Sequence, residues 1–374
     1  MDRPAATPFP VIRGTAIALS VLSVLPSALA QTDPIARLGR RIEAGQVQPR
    51  FDDDRGWLPW LLETLDIPAE SQMLVFSKTS IQGIHIGPHT PRMIFFNDSV
   101  ALGTMRGGPI EVAAQDPEGG MMFYLVEQNP SRYREWAANP NRVSPFLRRP
   151  DCMHCHLSKT SALAEMRLRS VATASNGDLL ERLAARETDG RTPLQQLFGG
   201  WFVTGKIEGA HMGNTVWDAH GLATRIEPPG QSDIAALLVF EHQARMMNLI
   251  SETRRAPEHV NELVDYLLFV DEAKLPGPVI RTPGSSGFAE NFAARGPRDS
   301  KGRSLRDLDL NTRLLKHPCS YMIYSEAFDA LPGAVKAAIY RRMSEVLARR
   351  NAEDRQAIVE ILRDTKPDLP KDFR

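Results

Sequence analysis

The sequence predicts an α+β fold, with an antiparallel β meander ahead of a mostly helical region. Two observations carry this reading. Between residues 72 and 128, short runs of β-forming residues alternate with turn signals. From about residue 160 onward, apolar residues recur three and four positions apart. Between the two regions stands one compact motif, Cys152-Met153-His154-Cys155-His156.

At the N-terminus, Arg3 and Arg13 precede an apolar stretch from Thr15 to Leu25, and Ala28-Leu29-Ala30 follows. This is the pattern of a secretory signal with an A-x-A cleavage site, which predicts a mature chain from Gln31. The stretch is shorter than the roughly 20 residues a membrane-spanning helix needs. No later segment is long and apolar enough to span, so no transmembrane segment is expected after cleavage.

Residues 31–70 read as helical, interrupted at Pro59. Strands are expected at Met73–Phe76, Arg92–Phe96, Ile110–Ala114 and Met121–Val126. They are separated by Gly87-Pro88, Asn97-Asp98, Arg106–Pro109 and Asp116–Gly120. The last pair reads as a hairpin across Asp116–Gly120. A polar connection follows, with a short helix at Ser131–Ala137. Beyond the motif, Ser161–Arg169 and Asp178–Arg186 have helical spacing. Ile234–Ile250 and His259–Val270 read as a helical hairpin turning near Pro257. Residues 276–303 are a loop-rich insertion rich in Gly and Pro. Helices are expected again at Tyr321–Ala330, Gly333–Ala348 and Ala352–Asp364. The organisation is therefore a signal peptide at 1–30, an N-terminal α/β region at 31–145, and a mainly helical region at 146–374.

The chain carries 45 basic and 45 acidic residues, and loss of the leader with Arg3, Arg13 and Asp2 keeps it near neutral. Such a balance offers nothing to nucleic acid or to an anionic membrane surface. The three cysteines are few for an exported protein. If the motif uses Cys152 and Cys155, only Cys319 remains, so no disulfide framework is expected. Cys319, ahead of the apolar run Tyr321–Tyr324, reads as a small buried hydrophobe.

A C-x-x-C-H motif is the attachment site of c-type haem: both thiols bond the macrocycle and the histidine binds its iron. Zinc would require four Cys/His ligands, usually as two pairs, and no second Cys pair exists. A redox dithiol expects a βαβ context, whereas the context here is loop then helix. The motif and the export signal agree, because bacterial haem c is attached outside the cytoplasm. Cys152, Cys155 and His156 are therefore the candidate cofactor-binding residues for one covalently attached haem c, with His156 as proximal metal ligand.

The partner across the iron is not given by spacing. The first choice is His211, in the run Gly199–Gly205 followed by His211-Met212-Gly213-Asn214, where glycines let backbone approach a flat cofactor. Met212 is its neighbouring alternative. His242 is the second, within Phe240-Glu241-His242-Gln243 of the long helix, where Glu241, Arg245 and Asn248 share a face. A polar cluster in an apolar helix needs partners when buried. Met322 is the third, weighed against a plain core role. His85 and His89 flank a turn and read as exposed. Arg148, Arg149 and Lys159 are near enough in sequence to hold a haem propionate.

On these residues the chain resembles the c-type cytochromes. The resemblance covers the five motif residues closely and the following helices loosely, and it implies a cytochrome c-like haem domain. The meander upstream and the pairing of Gly-Gly-Trp-Phe-Val-Thr-Gly with His-Met-Gly-Asn are similar to uncharacterised exported bacterial proteins with a single haem motif. Di-haem peroxidases carry two such motifs, and this chain has one. The expected function is one-electron transfer in the periplasm with an exported redox partner, through a small, transient contact. The alternatives are a peroxidase-like haem oxidoreductase with an open distal site, for which His242 and Arg245 are the candidate catalytic residues, and a haem-based gas or redox sensor.

Overall fold

A six-stranded antiparallel sheet forms the central wall, with strands in simple chain order. They are β1 (Met73–Val75), β2 (Arg92–Phe96), β3 (Val100–Thr104), β4 (Ile110–Asp116), β5 (Gly120–Val126) and β6 (Leu147–Arg148). The computed structural model describes residues 32–139, 143–158, 161–180, 186–216, 231–280 and 287–374, so the expected leader lies outside it. Residues 31–374 hold together as one compact unit. The architecture is α+β.

Alternation along the strands gives the sheet two buried faces. Leu74, Phe76, Met93, Phe95, Leu102, Val112 and Tyr124 point to one side, where helices α1 (Pro34–Glu43) and α2 (Leu58–Thr64) cover them. Asp33 starts α1: its Oδ1 accepts from the amides of Ile35 and Ala36 at 2.9 and 3.1 Å, and Pro34 fixes the first turn. Its Oδ2 accepts from the Tyr124 hydroxyl at 2.7 Å, which pins α1 to β5. The opposite face carries Met73, Val75, Ile94, Phe96, Ala101, Met121 and Phe123 into a larger core shared with the C-terminal helices. The short helix α3 (Pro130–Ala138), capped by Asn129, links β5 to β6.

The motif closes into α4 (Met153–His156). A small antiparallel pair, β7 (Arg169–Ser170) with β8 (Arg186–Glu187), and a parallel pair, β9 (Phe202–Thr204) with β10 (Asn214–Val216), follow. Helix α5 (Ile234–Arg255) runs through the larger core, buried on nearly every side. It pairs with α6 (Val260–Leu267) in the expected hairpin, broken at Ala256-Pro257. The remaining helices are α7 (Phe288–Ala294), α8 (Glu326–Asp329), α9 (Gly333–Leu347) and α10 (Ala352–Thr365).

Three sequence expectations are corrected here. Ser161–Arg169 is not a helix. Its backbone groups are engaged elsewhere: Leu163 O accepts from Ser158 N, Glu165 N donates to His156 O, and Met166 N donates to Asn248 Oδ1, while Ala162 has a φ of 53°. The described part of Asp178–Arg186 is not helical either: Leu180 N is bonded back to Ala172 O, and Arg186 begins β8. The insertion at 276–303 contains α7, because Phe288 and Phe292, one turn apart, are buried against Phe96 and Tyr321. The sheet also has two strands the sequence reading missed, β3 and the two-residue β6.

Candidate functional site

The C-x-x-C-H motif occupies one helical turn, which places Cys152, Cys155 and His156 along one side of it. All three line a single pocket of about 1210 Å³, counting its mouth. The far wall is the sheet face that carries Val75, Ile94 and Phe123, and Met166, Leu168, Trp201 and Phe240 complete the apolar lining.

The depression follows from side-chain size. The register sets Ile94 opposite Gly103 and Gly103 opposite Glu111, with Ala101 opposite Ala113 in the next row. Small residues at the centre of the wall, flanked by Ile94 and Phe123, leave a depression into which the Arg92 side chain also reaches. Gly103 matters most: a Cβ there would lie 2.1 Å from Arg92 Nη2, so the Arg92 guanidinium crosses directly over it. Arg92 reaches Glu111 at 2.5 Å, and Glu111 also accepts from Ser80 Oγ at 2.6 Å and Gln82 Nε2 at 2.8 Å. Among the described residues, Arg92 Nε is buried without a hydrogen-bond partner.

His156 is held by two contacts. Its Nδ1 lies 2.8 Å from the carbonyl of Glu165, and its ring packs on Phe123 at 4.4 Å between centroids. A carbonyl can only accept, so Nδ1 carries the proton and Nε2 is left with its lone pair. Burial pushes the imidazole pKa below its usual value, against the pull of the Glu165 carbonyl, and Arg92, Arg167 and Arg169 push it further down. The ring is therefore neutral at neutral pH. Burial also raises the Cys152 thiol above the usual range, while Cys155 is exposed.

Arg167 fixes the turn. Its guanidinium donates to the carbonyls of Cys155 at 2.9 Å and Leu157 at 3.0 Å, and it pairs with Glu165 at 3.3 Å. The loop behind is anchored by Asn248 of α5, which bonds both the amide and the carbonyl of Met166. Arg169, half-buried on the pocket wall, has no side-chain hydrogen bond or ion pair among the described residues.

The other candidates fall elsewhere. His211 is outside the pocket lining; its Nδ1 accepts from Gly213 N at 3.1 Å and its ring meets Phe198 edge-on. Met212 is exposed beside it. The glycine-flanked run does reach the pocket, through Trp201 instead, whose Nε1 donates to Arg169 O at 3.0 Å. His242 is buried on the far side of α5, stacked between Tyr266 and Phe269, with Nε2 2.7 Å from Ser320 Oγ. Arg245 is not with it, but bridges Glu252 and Glu262. Met322 and Cys319 are fully buried core residues, and burial pushes the Cys319 thiol up to about 12. His85 and His89 are exposed. Arg149 is paired with Asp151, Arg148 is exposed, and Lys159 lies outside the described residues.

Sequence reasoning missed Arg92, Glu111, Arg167, Arg169 and Gly103. A signal for Glu111 and Arg92 was available: a charged residue at an inward position of an otherwise apolar strand. No family model, no curated protein and no solved structure matches this chain.

Proposed function

We propose that this pocket holds one haem c, joined to Cys152 and Cys155 and bound through His156 Nε2, and that the protein is an exported, periplasmic monohaem redox protein. The observation that carries the reading is that both cysteines and the histidine of a C-x-x-C-H motif line one pocket against a sheet wall that has Gly103, Ala101 and Ala113 at its centre. Further support comes from the polar groups. Metal-binding histidines characteristically donate their other ring N–H to a carbonyl or carboxylate, as His156 does to Glu165. Arg169, on the pocket wall and without a side-chain partner among the described residues, would be able to hold a haem propionate. Among the described residues no helix is long and apolar enough to cross a membrane.

When bound, haem iron supplies one-electron chemistry. The residues do the rest. Arg167 holds the motif turn, Glu165 fixes the His156 tautomer, and the apolar wall from Val75 to Phe240 excludes water. The function best supported is one-electron exchange with an exported redox partner.

A second reading is favoured by one specific observation. None of His211, Met212, His242 or Met322 lines the pocket, whereas the Arg92–Glu111 pair does. If no other residue binds the iron, an arginine and a carboxylate in the same pocket would suit a peroxidase-like oxidoreductase, with Glu111 as the proton acceptor and Arg92 as the stabilising charge.

The visible spectrum of protein exported with haem-maturation machinery, reduced, with and without carbon monoxide, tests both. A c-type spectrum unchanged by carbon monoxide supports the electron carrier. A shifted one supports the open site. Exported protein without covalent haem refutes the proposal.

A further inference from the structure

From Thr32 onward the chain is tied into the fold. The Thr32 amide donates to Asp116 Oδ2 at 2.6 Å and its hydroxyl at 3.3 Å, and the Asp33 amide donates to the same oxygen at 2.9 Å. Asp116 ends β4, and its Oδ1 accepts from the amides of Glu118 and Gly119 at 2.9 and 2.8 Å. Arg37 of α1 reaches back to the same segment and donates to Thr32 O at 2.6 Å. Residues 31–374 form one compact unit, and residues 1–30 cluster apart from it. That boundary is the Ala30–Gln31 bond, the one at which Ala28-Leu29-Ala30 predicts cleavage. A sequence pattern and the extent of the folded unit thus point to the same bond.

A glutamine at a free N-terminus carries its own electrophile, because its α-amine reaches the side-chain carboxamide carbon through a five-membered ring. Protonation holds such an amine back, and a free carboxylate beside it favours the ammonium form. Among the described residues, each carboxylate bonded to this segment is already engaged. Asp116 takes four amides and one hydroxyl, which fill the roughly four lone-pair sites a carboxylate offers. Asp33 accepts from the Ile35 and Ala36 amides through Oδ1 and from the Tyr124 hydroxyl through Oδ2. Glu326, which meets the segment through Arg37, is held by both terminal nitrogens of that guanidinium at 2.6 and 2.8 Å.

We propose that cleavage after Ala30 frees Gln31 as an N-terminus that closes to pyroglutamate. The α-nitrogen attacks Cδ and a C–N bond forms. The bond from Cδ to Nε2 breaks, and the proton lost by the amine leaves with Nε2 as ammonia. No oxidant or co-reactant enters. The Gln31–Thr32 peptide bond is untouched, so the Thr32 amide keeps its bond to Asp116. The mature chain then ends in an uncharged lactam and lacks the free amine that aminopeptidases grip. The proposal rests on the reading of the chain as exported, and is independent of what the pocket holds.

The test uses the full chain with its leader, exported, purified and incubated at neutral pH, then read by intact mass and by tandem mass spectrometry of the N-terminal peptide. The expected mass, with or without covalent haem, is that of residues 31–374 less one ammonia, and the first peptide begins with pyroglutamate. The Gln31→Ala protein has no side-chain amide to close on and should lose no ammonia; an equal loss in Q31A would place the reaction elsewhere and overturn the proposal. A synthetic Gln31–Arg37 peptide sets the reference rate. Closure in the folded protein should keep pace with it, and a several-fold lag would mean that the fold holds the amine as an ammonium, against the proposal. A chain that begins at Gln31 and keeps its free amine overturns the cyclisation and leaves export standing. A chain that begins at another residue, or retains its leader, overturns the cyclisation and the cleavage site together.

Discussion

Replacing Arg167 with methionine isolates what holds the C-x-x-C-H turn in place. Methionine keeps an unbranched apolar stem and deletes the guanidinium. Two hydrogen bonds to carbonyls disappear, those to Cys155 and Leu157, each worth about 1.5–3 kcal/mol when one partner is charged. Glu165, whose side chain is 11 % exposed, also loses its ion-pair partner. These terms overlap because one group makes them all, so they do not simply add. Removing one member of a largely buried pair typically costs about 3–5 kcal/mol, and we take about 3 kcal/mol because Arg167 keeps some contact with water. The assay is urea unfolding followed by far-UV circular dichroism, alongside the yield of covalent haem on a denaturing gel. R167M should lose about 3 kcal/mol and most of its pigment, and Arg167→Lys should fall between, since an ammonium lacks the planar fork that spans two carbonyls. A loss below about 1 kcal/mol with pigment intact would refute the idea that this arginine organises the motif.

Other predictions follow from single residues. Gly103→Val forces the Arg92 guanidinium off the pocket floor and should cost about 1–3 kcal/mol of overpacking, with reduced haem attachment and an unchanged circular dichroism spectrum; normal pigment would mean the floor is not used. Asp116 is pushed up by burial, but the amides of Thr32, Asp33, Glu118 and Gly119 outweigh this and hold its pKa below the usual carboxylate range. Its stabilisation is thus present above about pH 4 and lost as pH falls further, so Asp116→Asn should flatten the acid limb of a melting curve taken from pH 5 to 2. Glu241 has the opposite sign. With its folded pKa raised to about 8, the unfolded chain ionises first, and stability falls as pH climbs from about 4 to 8. In potassium buffer, E241Q should therefore gain on the wild type by a few kcal/mol over that range, and a pH-independent difference would argue against a buried, neutral Glu241.

Much of the architecture was legible because it rests on local patterns. The β runs at Met73, Arg92, Ile110 and Met121 alternate with turn residues, and they appear as β1, β2, β4 and β5. The helical hairpin around Pro257 and the pair α9 and α10 were readable from their periodicity. β3 was harder: Val100-Ala101-Leu102-Gly103-Thr104 has small residues where a strand usually shows bulk, and those small residues make the pocket floor. The region after the motif misled for a different reason. Apolar spacing at Ser161–Arg169 satisfies a helix template, yet Asn248 takes the amide and carbonyl of Met166, and the His156 carbonyl and Ser158 amide take the Glu165 amide and the Leu163 carbonyl. The three motif residues were named from spacing alone. Their neighbours come from two separate stretches, Arg92 from β2 and Arg167 with Arg169 from the segment leading into β7, and these meet only in the folded chain.

Because the wall behind the pocket is a sheet buried on both faces, its shape is governed partly by residues that never meet a ligand. Leu102 and Val112 pack their side chains into the α1–α2 core and give the pocket only their backbone, yet they seat the same two strands that present Gly103, Glu111 and Ala113 to it. A close-packed backing of this kind yields little when charge changes in front of it. If the pocket holds the proposed haem, a stiff wall keeps nuclear rearrangement small when an electron comes or goes, and the hidden α1–α2 side is then a place where that rate can be tuned without touching the pocket.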